Sequence, residues 1–235
     1  TPVSNGCTGI HGMFKIVVRP TPSASITGGT TVCQNAPAPN LLVSNETPYN
    51  VKVTYTINGT TTATLNINGN GNASIIVPTA QAGSFDYILT GIQYQNEPLC
   101  SNNSLTGSAT VVVNAQPSAT ISGPANACAG SGNYTYTTEP GMNGYVWTVS
   151  SGGVITGGGT ASDHTATITW NTAGIQTVSV QYNSPQGCAV LSPVSRQVNV
   201  STLPVPTLTG LVNVCKGATG VTYTTQPGMT DYIWT

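Results

Sequence analysis

A short phrase that recurs three times in this chain of 235 residues constrains its fold more than any other feature. Each copy has an aliphatic residue, a hydroxyl residue and a glycine, and a cysteine follows after four further residues. The copies are Ile26-Thr27-Gly28 with Cys33, Ile121-Ser122-Gly123 with Cys128, and Leu208-Thr209-Gly210 with Cys215. A repeat of about 90 residues is typical of tandem domains rather than of one large core. The chain is therefore predicted to be a tandem array.

The repeat predicts two complete units flanked by two partial ones. Residues 21–115 and 116–202 are the complete units. Residues 1–20 are predicted to be the C-terminal end of a preceding repeat, and residues 203–235 the N-terminal part of a following repeat. We therefore expect this sequence to be a segment of a longer repetitive protein.

Hydrophobic periodicity predicts β-strands throughout and no α-helix. In residues 51–57 apolar and polar residues alternate, which is typical of a strand with one buried face, and Asn58-Gly59 is a strong hairpin signal. Residues 14–18 are also predicted to form a strand. Many short strands separated by turn residues favour an all-β fold of tandem immunoglobulin-like β-sandwich repeats. A β-solenoid is the alternative, although its repeat is usually much shorter.

The composition excludes several classes of function. Charged residues are only 5% of the chain, with five Lys and Arg against six Asp and Glu, so no basic patch for nucleic acid is expected. No run approaches the length of a membrane span. The two histidines, His11 and His164, are isolated, and neither is expected to be a metal ligand. No cofactor-binding motif is found, so none is expected.

No catalytic constellation is predicted either. Ser162-Asp163-His164 contains the residue types of a hydrolytic triad, but a triad needs convergence in space, and the position after three glycines favours a loop. Trp147 and Trp234 could stack on sugar rings. On the third strand of a sandwich, however, a tryptophan is normally buried between the sheets, so both are predicted to be core residues. Tyr49 and Tyr94, near strand ends, are candidates for exposed aromatic residues.

The six cysteines are the strongest chemical signal and indicate an oxidising, extracytoplasmic location. Each repeat has one front and one rear cysteine, so Cys33–Cys100 and Cys128–Cys188 could pair within repeats. In a seven-strand sandwich, however, these positions lie at opposite ends, about 20 Å apart, whereas disulfide Cα atoms are about 4.4 to 6.8 Å apart. The preferred prediction is therefore a bond between repeats, Cys33 to Cys188. Cys7, Cys100, Cys128 and Cys215 would then find partners outside this chain or remain unpaired within it.

A set of five phrases runs through the sequence, in residues 25–28 with 32–35, 109–114, 119–123, 145–149 and 167–174. Together they resemble the PKD-like, immunoglobulin-like repeats of giant secreted surface proteins of gliding bacteria, particularly their gliding-motility adhesins. The resemblance implies export through the type IX secretion system, display on the outer surface in association with the outer membrane, and long filaments that a motor in the cell envelope drags along the cell. Residues 55–57, Tyr-Thr-Ile, depart from the Tyr-x-Trp of the later repeats, which indicates a divergent repeat subtype.

We therefore expect a non-enzymatic structural segment of a cell-surface adhesin filament, which transmits force and presents an adhesive surface in gliding motility. Its expected partners are neighbouring repeats of the same chain. Other filaments, surface polysaccharide and a gliding motor are further candidates. The alternatives are a carbohydrate-binding or accessory module array of a secreted enzyme, and an S-layer or sheath protein.

Overall fold

The computed structural model describes residues 3–8, 10 and 12–235. The chain divides into two compact units, Thr1–Gln116 (unit 1) and Pro117–Thr235 (unit 2). The regular secondary structure of the described residues is entirely β-strand. No helix with the length and hydrophobicity needed to cross a membrane occurs in that part of the chain. The predicted all-β fold of immunoglobulin-like β-sandwiches is confirmed.

Unit 1 contains two facing sheets and a separate pair of two-residue strands near its start. Its strands are β1 (Val3–Ser4), β2 (Cys7–Thr8), β3 (Ala24–Thr27), β4 (Thr30–Cys33), β5 (Asn40–Asn45), β6 (Val51–Ile57), β7 (Thr61–Ile67), β8 (Asn72–Ile76), β9 (Gly83–Tyr94), β10 (Ser101–Asn102) and β11 (Ser108–Asn114). One sheet has the order β3-β5-β8, and the other has the order β4-β11-β9-β6-β7 with β10 added on β9. The single parallel pair in these two sheets is β4 with β11, the second and the last strands of the sandwich.

Alternation along the strands builds the core of unit 1. Val51, Val53 and Tyr55 of β6 are buried, whereas Lys52 between them is exposed. The other sheet contributes Leu41 and other buried residues of β5 to the same cluster. Because one face of each strand is apolar, the two sheets pack face to face.

Unit 2 repeats this plan with fewer strands. These are β12 (Asn126–Cys128), β13 (Tyr134–Thr137), β14 (Asn143–Val149), β15 (Gly153–Gly158), β16 (Thr165–Trp170), β17 (Gly174–Asn183) and β18 (Val194–Ser201). The sheets have the orders β12-β18-β17-β14 and β13-β16-β15. As in unit 1, the short strand β12 pairs in parallel with the last strand, β18.

Large aromatic residues dominate the core of unit 2. Trp170 is completely buried and its indole Nε1 donates a hydrogen bond of 3.2 Å to the Tyr136 hydroxyl. The two rings meet edge to face, with centroids 6.3 Å apart. Because the indole N–H has an acceptor, the bulk of Trp170 is buried without leaving that donor unpaired.

The two units differ in the strand that follows β6 in unit 1 and β14 in unit 2. In unit 1 a tight hairpin keeps β7 beside β6 in the same sheet. In unit 2 the strand in that position, β15, pairs with β16 in the opposite sheet. The larger sheet of unit 1 therefore extends beyond β6 to β7, whereas that of unit 2 ends at β14.

The recurring glycine of the repeated phrase is explained by its conformation and its close contacts. Gly28 and Gly123 have φ angles of 103° and 145°. A Cβ atom at Gly28 would lie 2.8 Å from the carbonyl oxygen of Asn40, and one at Gly123 would lie 2.5 Å from the Tyr136 ring. Glycine is therefore required on both backbone and steric grounds, after β3 in unit 1 and after the isolated bridge of Ser122 with Thr137 in unit 2.

Two predictions about the flanking segments are wrong for this chain. Residues 12–20 form no strand, and Trp234 is 58% exposed rather than a core residue. The reason is the same in both cases, because a strand needs a hydrogen-bonded partner and a core needs an opposite sheet. Trp147 is covered by its unit, whereas only one residue follows Trp234 in this chain. Residues 203–235 form only an isolated bridge, Thr209 with Thr224.

Candidate functional site

The cysteines of unit 1 lie at opposite ends of its larger sheet. Cys33 is paired in register with Asn114, the last residue of β11. The carbonyl oxygen of Cys100 accepts a hydrogen bond of 3.0 Å from the N–H of Tyr94, at the far end of β9. Since β9 spans 12 residues, about 36 Å of extended strand separates these ends. A bond between Cys33 and Cys100 would need a rearrangement of unit 1.

Unit 2 has the same arrangement. Cys128 pairs in register with Ser201, the last residue of β18. Cys188 is completely buried in the connection between β17 and β18, where its N–H and carbonyl oxygen both bond to Ser184. Cys128 and Cys188 therefore also lie at opposite ends of one strand.

The six cysteines fall into two disulfide-bonded residues and four free ones. Cys33 and Cys188 are each disulfide-bonded. Cys7, Cys100, Cys128 and Cys215 are free. The preferred pairing of Cys33 with Cys188 stays a prediction, and it is argued further below.

The most strongly perturbed carboxylate is Glu139, which the sequence did not single out. It accepts hydrogen bonds from the Thr120 N–H (3.1 Å), the Tyr182 hydroxyl (2.6 Å), the Thr138 hydroxyl (2.7 Å) and the Thr120 hydroxyl. Burial acts to raise the pKa of Glu139, but these hydrogen bonds outweigh it and hold the pKa at about 2. Burial and the same carboxylate raise the pKa of Tyr182. A permanently ionised acceptor of this kind is a structural anchor and a poor general acid.

A signal for Glu139 was present in the repeat. Gln226 occupies the matching position in the following segment, where its Oε1 accepts a hydrogen bond of 2.9 Å from the Thr207 N–H. Glu139 and Gln226 have different charges, but both side chains carry an oxygen that accepts a hydrogen bond from a threonine N–H. The repeat position is therefore expected to serve as a hydrogen-bond acceptor.

The loop that contains Ser162, Asp163 and His164 serves the packing of Trp147. One Asp163 carboxylate oxygen accepts hydrogen bonds from the N–H and the hydroxyl of Thr160, and the latter is the first cause of its lowered pKa. The Asp163 carbonyl oxygen accepts a hydrogen bond of 2.9 Å from the indole of Trp147. Trp147 is only 7% exposed, so it offers no platform for a sugar ring.

Tyr49 and Tyr94, the candidates for exposed aromatic residues, both contact the segment that precedes β3. Tyr94 is buried, contrary to the expectation from the sequence, and its hydroxyl donates a hydrogen bond of 2.9 Å to the Pro20 carbonyl oxygen. The guanidinium of Arg19 lies 4.4 Å from the centroid of the Tyr49 ring. A cation–π contact of this kind ties residues 19 and 20 to the sandwich.

Two rows of side chains cross the outer face of the larger sheet of unit 1. Thr64, Thr54 and Gly91 are neighbours in register on β7, β6 and β9. Lys52, Gln93 and Ser101 are neighbours in the same way on β6, β9 and β10. Together with Ile92 and Asn103, these residues line a groove of about 310 Å³, which we call the outer groove.

No group of three or more His, Cys, Asp or Glu side chains that could hold a metal ion occurs in residues 3–8, 10 and 12–235.

A known protein-family model matches part of unit 2 and only the last residues of unit 1. Residues 113–198 match the family model of the PKD-like domain. This match confirms the PKD-like part of the predicted resemblance for that stretch, which runs from the end of β11 into β18. No curated protein matches the sequence.

The chain is also similar to solved structures of modular proteins. These include fibronectin(III)-like modules of Clostridium thermocellum CbhA, with 14% identity and a TM-score of 0.32. The match covers 77% of this chain and 95% of that one. A Ca²⁺-stabilized adhesin of an Antarctic bacterium that binds ice (15% identity, TM-score 0.45) is similar over 82% of this chain and 53% of its own. The bacterial integrin-binding protein invasin (16% identity, TM-score 0.29) is similar over 81% and 42%. The chain thus spans about half or less of the two adhesins.

Proposed function

We propose that this chain is a non-enzymatic, load-bearing segment of a bacterial cell-surface adhesin. The observation that carries the proposal is the parallel pairing of an early strand with the last strand in each sandwich. In unit 1, β4 pairs with β11 over Thr30–Cys33, and in unit 2, β12 pairs with β18 over Asn126–Cys128. Both sandwiches therefore clamp their two chain ends together through backbone hydrogen bonds.

The geometry of these pairs suits them to resist pulling. When force is applied at the two ends of a unit, the parallel strands are drawn past each other along their length. All the hydrogen bonds between them are then loaded together instead of opening one after another. In unit 1 these include the bond from the Gln34 N–H to the Asn114 carbonyl oxygen (2.8 Å), and in unit 2 the bond from the Ala129 N–H to the Ser201 carbonyl oxygen (2.8 Å).

The low charge supports a role in an extended surface array. With charged residues at 5% of the chain, neighbouring copies repel each other little, and contacts through hydroxyl and amide groups depend little on salt. We place the chain outside the cell on the strength of its cysteines and of the PKD-like match. Its resemblance to gliding-motility adhesins supports a finer proposal, in which a filament exported by type IX secretion is associated with the outer membrane and moved by a gliding motor.

Stretching single molecules of the 235-residue chain in the presence of reductant tests this function, because a bond between Cys33 and Cys188 would carry the force past the residues between them. We expect two separate unfolding events, one for each unit. Gln34→Pro removes the N–H that bonds to Asn114, so it should lower the unfolding force of unit 1 and leave that of unit 2 unchanged. Gln34→Ala is the matched control, since it loses only the side-chain bond to Ala80 and keeps the backbone N–H. Equal unfolding forces for the proline and alanine variants would overturn the load-bearing role of this pair.

A further inference from the structure

We propose that the outer groove of unit 1 binds a saccharide that carries a carboxylate group, such as a uronic acid residue of an acidic polysaccharide. This inference rests on the proposed function and deepens it, because it names what the adhesin would hold. It is argued from the free polar groups of the groove, its shape and its charge.

The groove offers hydrogen-bonding groups that the protein itself does not use. Among the described residues, the side chains of Lys52, Thr64, Gln93, Ser101 and Asn103 have no hydrogen-bond or ion-pair partner in the protein. Hydroxyl and amide groups both donate and accept, which matches the hydroxyl groups of a sugar. Because they lie in two adjacent rows of one rigid sheet, binding would require little ordering of the backbone.

Gly91 creates the space in the groove. It stands in the first row opposite Thr54, where any other residue would project a side chain. A Cβ atom at this position would lie 3.1 Å from Asn103 Oδ1 and 4.0 Å from Thr54 Cβ, so it would point between the two walls. The sheet is also irregular here, since the register of β6 and β9 shifts between Thr54 and Tyr55.

The charge of the groove selects an anionic ligand. Lys52 is the one charged residue among the eight that line it. A single ammonium group beside neutral hydroxyl and amide groups suits a carboxylate on a hydroxylated ring. It lacks the several cationic donors with which proteins hold phosphate.

The size of the groove and its lack of an aromatic platform predict weak binding. A volume of about 310 Å³ is at the lower end for small-molecule sites, which fits one or two sugar rings. We therefore expect a Kd on the order of 1 mM for one site. A repetitive surface protein can multiply such weak contacts, because each further site acts at high effective concentration.

The extra strands of unit 1 explain why the groove is specific to that unit. Thr64 comes from β7 and Ser101 from β10, which form two of its walls. The corresponding sheet of unit 2 ends at β14. We therefore expect unit 2 of the same chain to serve as an internal negative control.

Titration of the ¹⁵N-labelled 235-residue chain with oligogalacturonides, followed by NMR, tests the proposal. We expect amide shifts at residues 52, 54, 64, 91, 93, 101 and 103, and none on the sheets of unit 2. A neutral cello-oligosaccharide of equal length should bind several-fold more weakly, because it cannot pair with Lys52. Lys52→Gln should reduce the uronate affinity to that of the neutral sugar.

Gly91→Val is the decisive variant, because it fills the groove. Its backbone is outside the left-handed region and valine suits a strand, so the substitution requires only that the Asn103 side chain shift by a few tenths of an ångström. Gly157→Val on β15 is the matched control, since a Cβ there would be at ordinary contact distance, 3.6 Å from Thr167. Loss of binding in Gly91→Val alone supports the proposal. Unchanged binding in that variant, or no shift at the groove at millimolar ligand, overturns it and leaves the load-bearing function intact, since unfolding forces test that function separately.

Discussion

At the scale of single residues, Glu139 shows how one carboxylate can order the entry of a domain. Its donors come from Thr120, near the start of unit 2, from Thr138 after β13 and from Tyr182 on β17. The Ser118 carbonyl oxygen lies 3.3 Å from the same Tyr182 hydroxyl and is a second, longer acceptor for its one proton. A single ionised group thus connects both sheets to the incoming chain.

This arrangement predicts a specific loss of stability in acid. The pKa of Glu139 is about 2 in the folded unit, below its ordinary value of 4.5, so the unfolded chain binds the proton more tightly. The stabilisation is therefore complete above about pH 4.5 and is lost as the pH falls to about 2. Glu139→Gln should lower the stability of unit 2 at pH 7 by about 1 kcal/mol, a value reduced for partial exposure to solvent, and the deficit should shrink towards pH 2.

Tryptophan fluorescence is a suitable measurement because Trp147, Trp170 and Trp234 all lie in unit 2. Urea unfolding followed by this signal should give a smaller pH dependence for Glu139→Gln than for the native chain. Glu46→Gln, an exposed change in unit 1, is the control and should leave the transition unchanged. Parallel pH profiles for the native chain and the Glu139 variant would contradict the prediction.

At the scale of elements, the hairpin between β6 and β7 shows what local sequence can determine. Asn58 and Gly59 have φ angles of 51° and 67°, as a type I′ turn requires. The Asn58 side chain also accepts a hydrogen bond of 2.7 Å from the Asp86 N–H on β9. The turn therefore fixes the register of β7 and places Thr64 at the outer groove.

Gly59→Ala is expected to destabilise this hairpin by about 1 kcal/mol. A Cβ atom at Gly59 would contact nothing within 4 Å, so the cost arises from the left-handed backbone alone. Hydrogen exchange of the β7 amides should become faster than in the native chain. Gly157→Ala is the control, since its φ is not left-handed and only ordinary contacts are made. Unchanged exchange in β7 would show that packing, not the turn, sets its stability.

Local pattern predicted the long strands but not the short ones. Residues 51–57 were predicted as a strand and form β6, because alternation and β-branched residues are properties of the segment itself. In contrast, β4 and β12 were missed, because such short strands are defined by their pairing with β11 and β18, far along the chain. The same dependence on partners explains why residues 14–18 have the pattern of a strand and form none. The outer groove was not predictable for this reason, since it needs the register of four strands.

At the scale of the whole molecule, the positions of the two disulfide-bonded cysteines favour a bond between the units. Each of them lies at one end of its own sandwich, a whole strand away from the other cysteine of that sandwich. Cys33 lies beside Asn114, where the chain leaves unit 1. Cys188 lies in the connection before β18, at the end of the sandwich opposite to Cys128 and to Ser201, the last residue of β18. Pairing within a unit would have to span a whole strand in each case. This is the physical argument for the predicted bond from Cys33 to Cys188.

Peptide mapping without reductant tests that bond. Trypsin alone is unsuitable, because Cys100, Cys128 and Cys188 all lie between Arg196 and Lys52, with no Lys or Arg between these two cleavage sites. Adding chymotrypsin, which cuts after aromatic residues, leaves Cys33 in residues 16–49, Cys100 together with Cys128 in residues 95–134, and Cys188 alone in residues 183–196. We expect the first of these peptides to be linked to the third. Cys100→Ser should leave this linked peptide intact, whereas Cys188→Ser should abolish it. A peptide that joins Cys33 to Cys100 would overturn the prediction.

If the bond forms as predicted, reductant should lower the bending stiffness of a multi-repeat chain, measured by force microscopy. Each unit should stay folded under these conditions, because its core does not depend on the bond.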